Sequence, residues 1–127
     1  MPTEINASVI RLFVDGSGSR PDGNGSCFAF FRPDTGASGI ERIDGLSNNQ
    51  AEYRAVLLGL QSVPEKNTIE ILTDSQLVAC QFNGYWRALD PTLAVLLTQV
   101  HRLIQEKHLI VSVAWIPRRE NLAGRLI

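Results

Sequence analysis

Apolar positions along this chain follow two rhythms. Residues 9–14, Val-Ile-Arg-Leu-Phe-Val, make a short β-branched and aromatic run that meets Asp15-Gly16, which predicts a strand stopping at the aspartate. A loop rich in Gly, Ser, Pro, Asp and Asn follows, and Ser26 to Phe31 predicts a second strand. Residues 32–37, Arg-Pro-Asp-Thr-Gly-Ala, predict a turn into a third strand at Ser38 to Ile43. Three strands with short links predict an antiparallel meander. The rhythm then changes. Ser47 and Asn48 are cap candidates, Ala51, Ala55 and Leu58 recur at helical spacing, and Pro64 closes the helix.

Residues 68–73, Thr-Ile-Glu-Ile-Leu-Thr, predict a fourth strand that again runs into an aspartate, Asp74. Ser75 opens a short helix to about Phe82, broken near Asn83-Gly84. Pro91 suits the first turn of a longer helix whose stripe is Leu93, Leu96, Leu97, Val100, Leu103 and Ile104. Leu109 to Ile116 predicts the fifth strand, ended by Pro117, and residues 118–127 predict a short last helix. The order βββαβααβα implies an α/β domain on a five-stranded mixed sheet, three strands antiparallel and then two parallel.

Length narrows this to one domain spanning residues 1–127. Apolar content of 44% and charged content of 20% are those of a soluble globular chain, and no apolar run approaches the ~20 residues of a membrane helix. The start, MPTEINAS, has neither the basic beginning nor the apolar centre of a secretory signal, so a cytoplasmic location is expected. Cys27 and Cys80 lack metal-ligand spacing and are expected as reduced, packed thiols. With a net charge of −1, any nucleic acid must be held by a local positive surface or a metal ion.

The candidate chemistry is carboxylate chemistry. If residues 9–14 and 68–73 are parallel neighbours, Asp15 and Asp74 meet at one edge of the sheet, where open α/β folds place ligands. Glu52 lies one turn into the first helix, with Asn48 one turn behind on the same face. Gathered carboxylates repel unless protonated or bridged by a cation. Oxygen donors without a Cys/His cluster favour Mg²⁺ or Mn²⁺, and a pair of such ions suits phosphodiester cleavage. Taken singly, each aspartate reads as a turn former or helix cap and Glu52 as an exposed helix acid; only their combination points to a site.

Four segments, "FVDGSGS", "NNQAEYRAVLLGL", "ILTDSQLV" and "WIPRREN", occur in the order and spacing of type 1 ribonuclease H, and the resemblance runs over about residues 10–127. It is closest to the compact prokaryotic form without the basic substrate handle. The resemblance implies a ribonuclease H-like fold and endonucleolytic cleavage of the RNA strand of RNA–DNA hybrids. It also implies use of Mg²⁺ or Mn²⁺, 5′-phosphate and 3′-hydroxyl ends, and no obligate protein partner. Asp15, Glu52 and Asp74 resemble the first three acids of the family's quartet and are the implied metal ligands. Asn48, Asn49 and Gln76 resemble the polar residues that sense the minor groove and 2′-hydroxyls, and the backbone of Gly16 and Ser17 would touch the RNA strand.

One departure stands out. The family writes N-x-x-A-D-x-L after the last strand, whereas residues 121–127 read N-L-A-G-R-L-I, with Gly124 in the acid's place and the spacing one residue short. Three explanations stand open: Asn121 offers its amide oxygen as a neutral ligand, water completes the shell, or catalysis is impaired. In the last case the chain is a hybrid-binding module with a degenerate site. A separate rival is a nuclease on the same fold with another substrate, such as double-stranded RNA. The loop before this segment holds Arg118, Arg119 and Glu120 in place of the histidine found in some branches. Arg118, Arg119 and Arg125 form the best basic cluster for phosphates, and weak substrate binding is expected without a handle. Tyr85, Trp86 and Arg87 sit where relatives place residues beside the DNA strand, with simple packing the competing role. His101 and His108 are expected on the surface.

Overall fold

The computed structural model describes residues 8–21 and 25–127, so residues 1–7 of the segment examined for an export signal lie outside the described residues. Its elements are β1 (Ile10–Ser17), β2 (Cys27–Arg32), β3 (Ala37–Arg42), α1 (Asn48–Ser62), β4 (Thr68–Thr73), α2 (Gln76–Phe82), α3 (Pro91–Glu106) and β5 (Ile110–Trp115). They form one five-stranded sheet in the order β3-β2-β1-β4-β5. The first three strands are antiparallel, and β4 and β5 run parallel to β1. This is the expected ribonuclease H-like α/β architecture.

Alternation along β1 divides the interior in two. Ile10, Leu12 and Val14 join Ile69, Ile71, Tyr53, Leu60 and Val100 in the main core beneath α1 and α3. Phe13, one residue out of phase, packs with Leu72 and Ala123 in a smaller cluster with Phe31, Ala114, Ile116 and Leu122 around it. Gly59 lets α1 settle on the sheet, since a Cβ there would meet the Leu12 side chain at 2.8 Å. The helix starts follow their sequence signals. Ser47 and Gln50 form a capping box on α1, and Asp90 caps α3 ahead of Pro91.

Two expectations need correction. β1 does not stop at Val14 but continues to Ser17, because pairing with β2 persists through Asp15↔Ala29, Gly16↔Phe28 and Ser17↔Cys27. Only the parallel ladder with β4 ends at Val14↔Thr73. The last helix is not an α-helix either. Residues Arg118–Glu120 and Leu122–Leu126 make two 3₁₀ turns, separated by Asn121 in an extended conformation at ψ 104°. Asn121 breaks the helical path to cap the second turn, and Gly124 gives a poor helix interior. His101 and His108 are exposed as expected, with His101 stacked on Phe82. The cysteines are free, Cys27 buried and Cys80 half-buried.

Candidate active site

Strand register brings the two aspartates together. Val14 opposite Thr73 is the last parallel pair, and one step further places Asp15 beside Asp74 at the carboxyl edge of the sheet. The third acid arrives from α1, which crosses β1 at unusually close range. A Cβ on Gly16 would lie 2.3 Å from the Ala51 carbonyl carbon, and one on Gly18 would lie 2.4 Å from the Asn48 nitrogen. The glycines after Asp15 therefore serve the protein's own helix, whatever they offer a substrate. That approach lets the Gly16 N–H donate to Glu52 Oε1 at 2.5 Å and the Gly18 N–H donate to Asn48 Oδ1 at 2.7 Å. Gly16 N–H also reaches Asp15 Oδ1 at 3.0 Å. One oxygen from each of Asp15, Glu52 and Asp74 lies within 4.8 Å of the others.

These acids form the floor of a cavity of about 690 Å³. Gly16, Ser17, Asn48, Asn49, Arg118, Arg119 and Asn121 line it too, together with Arg125. Gln76 does not: it is exposed on the first turn of α2, outside the cavity wall. Tyr85 and Trp86 do not line this cavity and are 80% and 49% exposed. Three residues make contacts at this site that the sequence did not show. Ser75 lines the cavity and caps α2, accepting from the Val78 N–H at 3.1 Å. Trp115 Nε1–H donates to the Asp74 carbonyl at 3.0 Å. Gly124 lies against Asp15, where a Cβ would be 3.0 Å from Oδ2. Ser75 was legible as a helix start and Gly124 as the residue in the acid's place, but their positions beside the acids depend on contacts far apart in the chain, as does the Trp115 bond.

Asn121 sits differently from a ligand. Its Nδ2 donates to the Val14 carbonyl at 2.8 Å and to Asp74 Oδ2 at 3.0 Å, while Oδ1 accepts from the Ala123 N–H at 3.1 Å. The amide oxygen, considered above as a neutral ligand, is turned to the backbone, and nitrogen faces the acids.

Electrostatics report crowding. Burial first, and then the charges of Asp15 and Asp74, push Glu52 up to about 9. Asp15 is also raised, by burial and then by Asp74, with Arg118 opposing. Three converging carboxylate oxygens, two of them on side chains pushed toward protonation by burial and acidic neighbours, with no Cys or His among them, are a donor set that fits a hard divalent cation. Glu52 goes from 4.5 to about 9 on folding, so between these values the native state holds the extra proton. Its stabilisation is complete below pH 4.5 and is lost as pH rises through about 9. Without divalent ions the unfolding midpoint is expected to fall as pH climbs from 5 to about 9. Saturating Mg²⁺ is expected to flatten that slope and to release protons on binding near neutrality, seen as calorimetric heats that vary with buffer ionisation enthalpy. Equal slopes with and without the ion would speak against a cation at this cluster.

Comparison with known proteins agrees with this geometry. The profile of the family described as "Reverse transcriptase-like" matches residues 14–125. The chain belongs to that family. Among curated relatives of this reverse transcriptase-like domain, the bifunctional protein Rv2228c of Mycobacterium tuberculosis is 33% identical over 87 residues. That match takes in 67% of the present chain but 24% of the relative, so the chain spans about a quarter of that protein's length. Ribonuclease HI of Halobacterium salinarum is 28% identical over 94% of the chain and 66% of its own length. The solved N-terminal RNase H domain of Rv2228c superposes with a TM-score of 0.78 at 29% identity, covering 94% of this chain and 91% of that one. RNase H1 of H. salinarum superposes with a TM-score of 0.80 at 28% identity, covering 94% and 93%. The family is thus the ribonuclease HI-like one that the motifs resemble. Among the described residues, no helix is long and apolar enough to cross a membrane.

Proposed function

We propose that this chain is a metal-dependent endoribonuclease that cuts the RNA strand of RNA–DNA hybrids. The observation that carries the proposal is the convergence of Asp15, Glu52 and Asp74 within 4.8 Å at one end of a cavity lined with arginine and asparagine. The ribonuclease H relatives support the same substrate class. A pair of Mg²⁺ or Mn²⁺ ions held by these carboxylates would supply an activated water and charge for the leaving oxygen. Asp15 and Asp74, side by side at the edge of the parallel ladder, would hold those ions, and Glu52 would offer one oxygen to them from α1. Water oxygen bonds to phosphorus as the bond to the 3′-oxygen breaks. That oxygen takes a proton, leaving 5′-phosphate and 3′-hydroxyl ends.

Arg118, Arg119 and Arg125 bind backbone phosphates, and the backbone of Gly16 and Ser17 meets the RNA strand. Asn48 has its oxygen engaged with Gly18, which leaves its NH₂ to read a 2′-hydroxyl, and Asn49 reads another. Gln76 would reach only a duplex that extends beyond the cavity. Residues 1–127 act as one domain, in the cytoplasm, where the two free thiols remain reduced, with no obligate protein partner.

Gly124 favours a second reading, a hybrid-binding module with an impaired site, since a glycine brings no fourth carboxylate. Digestion of end-labelled RNA–DNA hybrid, double-stranded RNA and DNA, each in Mg²⁺ and in Mn²⁺, tests both. The expected result is cleavage of the hybrid's RNA strand alone. Hybrid bound without product would point to the module, and preferred cleavage of double-stranded RNA to a different substrate.

A further inference from the structure

We propose that Asn121 is the positioning residue of this site, its amide group locking the Asp74 carboxylate and the Asp15 strand to one another, with Trp115 securing Asp74 from the other end. The proposal rests on the reading of the three acids as a cation site.

Asn121 is 3% exposed and lies between three segments that the chain brings together from far apart. Both N–H groups of its amide are committed, one to the Val14 carbonyl and one to Asp74 Oδ2, and its oxygen to the Ala123 N–H. The choice of amide is what these partners demand. Capping the second 3₁₀ turn needs only an acceptor, which serine or aspartate supplies as well as asparagine. Facing a carbonyl and a carboxylate needs two donors. Serine has one donor and a shorter reach, and aspartate would set acceptor against acceptor. Only the amide provides the acceptor and both donors in one short side chain.

The two aspartates gain a common brace from this. Val14 directly precedes Asp15, and its carbonyl projects where the parallel ladder with β4 runs out. Asn121 takes over there, replacing the missing ladder bond with a side-chain bond and adding the Asp74 carboxylate to the same amide. Asp74 Oδ2 is thereby fixed, leaving Oδ1 as the oxygen free to turn toward a cation. The Trp115 indole N–H holds the Asp74 carbonyl at 3.0 Å, and the Ile116 N–H holds the preceding Thr73 carbonyl at 2.8 Å. Asp74 is held at its side chain by Asn121 and at its backbone by Trp115. Groups that orient a ligating carboxylate in this way typically change metal affinity by about 10- to 100-fold when removed.

The decisive variants are Asn121→Ser, which keeps a capping oxygen and removes the two amide donors, and Trp115→Phe, which removes one exposed indole N–H. Calorimetry of the full chain with Mn²⁺ is expected to show about 10- to 100-fold weaker binding for Asn121→Ser and about two- to threefold for Trp115→Phe. With hybrid as substrate, kcat is expected to fall for Asn121→Ser while KM stays near the wild-type value. In metal-free wild-type protein, the Asn121 side-chain NH₂ is expected to give two separate, solvent-protected NMR signals that shift on Mg²⁺ addition. Wild-type Mn²⁺ affinity in Asn121→Ser overturns the proposal, and so does an Asn121 NH₂ in free exchange with water. Loss of thermal stability with affinity intact would mark Asn121 as a cap and nothing more. Wild-type protein that takes up no Mn²⁺ while its amide stays protected would instead overturn the cation reading itself.

Discussion

Asparagine in place of Asp15 or Asp74 is expected to lower hybrid cleavage by about 10³-fold, the rate equivalent of the several kcal/mol of transition-state charge stabilisation that a bound cation supplies. Each exchange keeps the side chain's size and removes one negative oxygen from a cluster only 4.8 Å across. The same exchange relieves repulsion. Asp15 and Glu52 are both raised in part by their acidic neighbours, so the ion-free Asp15→Asn protein is expected to be more stable than wild type by about 1 kcal/mol and to unfold at a higher temperature. Opposite signs for activity and stability are diagnostic, because a residue that merely supports the fold loses both. Cleavage within tenfold of wild type by either variant would remove that aspartate from the chemistry.

The second large effect comes from a methyl group. Gly16→Ala is expected to cost about 3 kcal/mol of stability, roughly 10 °C in the unfolding midpoint, and to suppress metal binding as well. The new Cβ would lie 2.3 Å from the Ala51 carbonyl carbon and 2.6 Å from the Glu52 nitrogen, both backbone atoms that no rotamer change can move. α1 must back away from β1, which stretches the Gly16–Glu52 hydrogen bond and withdraws Glu52 from the two aspartates. Thermal denaturation beside Mn²⁺ calorimetry checks both halves. A variant with wild-type stability would mean that α1 does not approach β1 this closely.

Much of this was legible in the chain itself. Alternation in residues 9–14 and 68–73, the leucine stripe after Pro91 and the Ser47 cap placed the strands and helices to within about a residue, apart from the end of β1 and the last segment. Asp15 and Asp74 were readable because both directly follow apolar runs, and two such strands in parallel have little choice but to bring them together. Glu52 was harder. Beside Arg54 it looks like an exposed helix acid, and its 8% exposure is set by glycines 36 and 34 residues earlier in the chain. Asn121 was visible as a residue but not as a geometry, since its partners Val14 and Asp74 lie 107 and 47 residues away. Helix propensity misjudged residues 118–127 because Asn121 leaves the helical path to make those distant bonds. Gln76 was placed by its motif, yet its turn of α2 points it to solvent.

Asp15 and Asp74 each follow by two residues a side chain of the small Phe13–Leu72 cluster, and those two residues are register partners. Alternation makes that arrangement all-or-nothing: a one-residue slip of β1 along β4 would swap its faces, sending an acid into hydrocarbon and a hydrocarbon to the acid's post. A misaligned form of this protein would retain its helical content and still be inert. Turnover is therefore a finer gauge of correct strand alignment here than any spectrum of secondary structure.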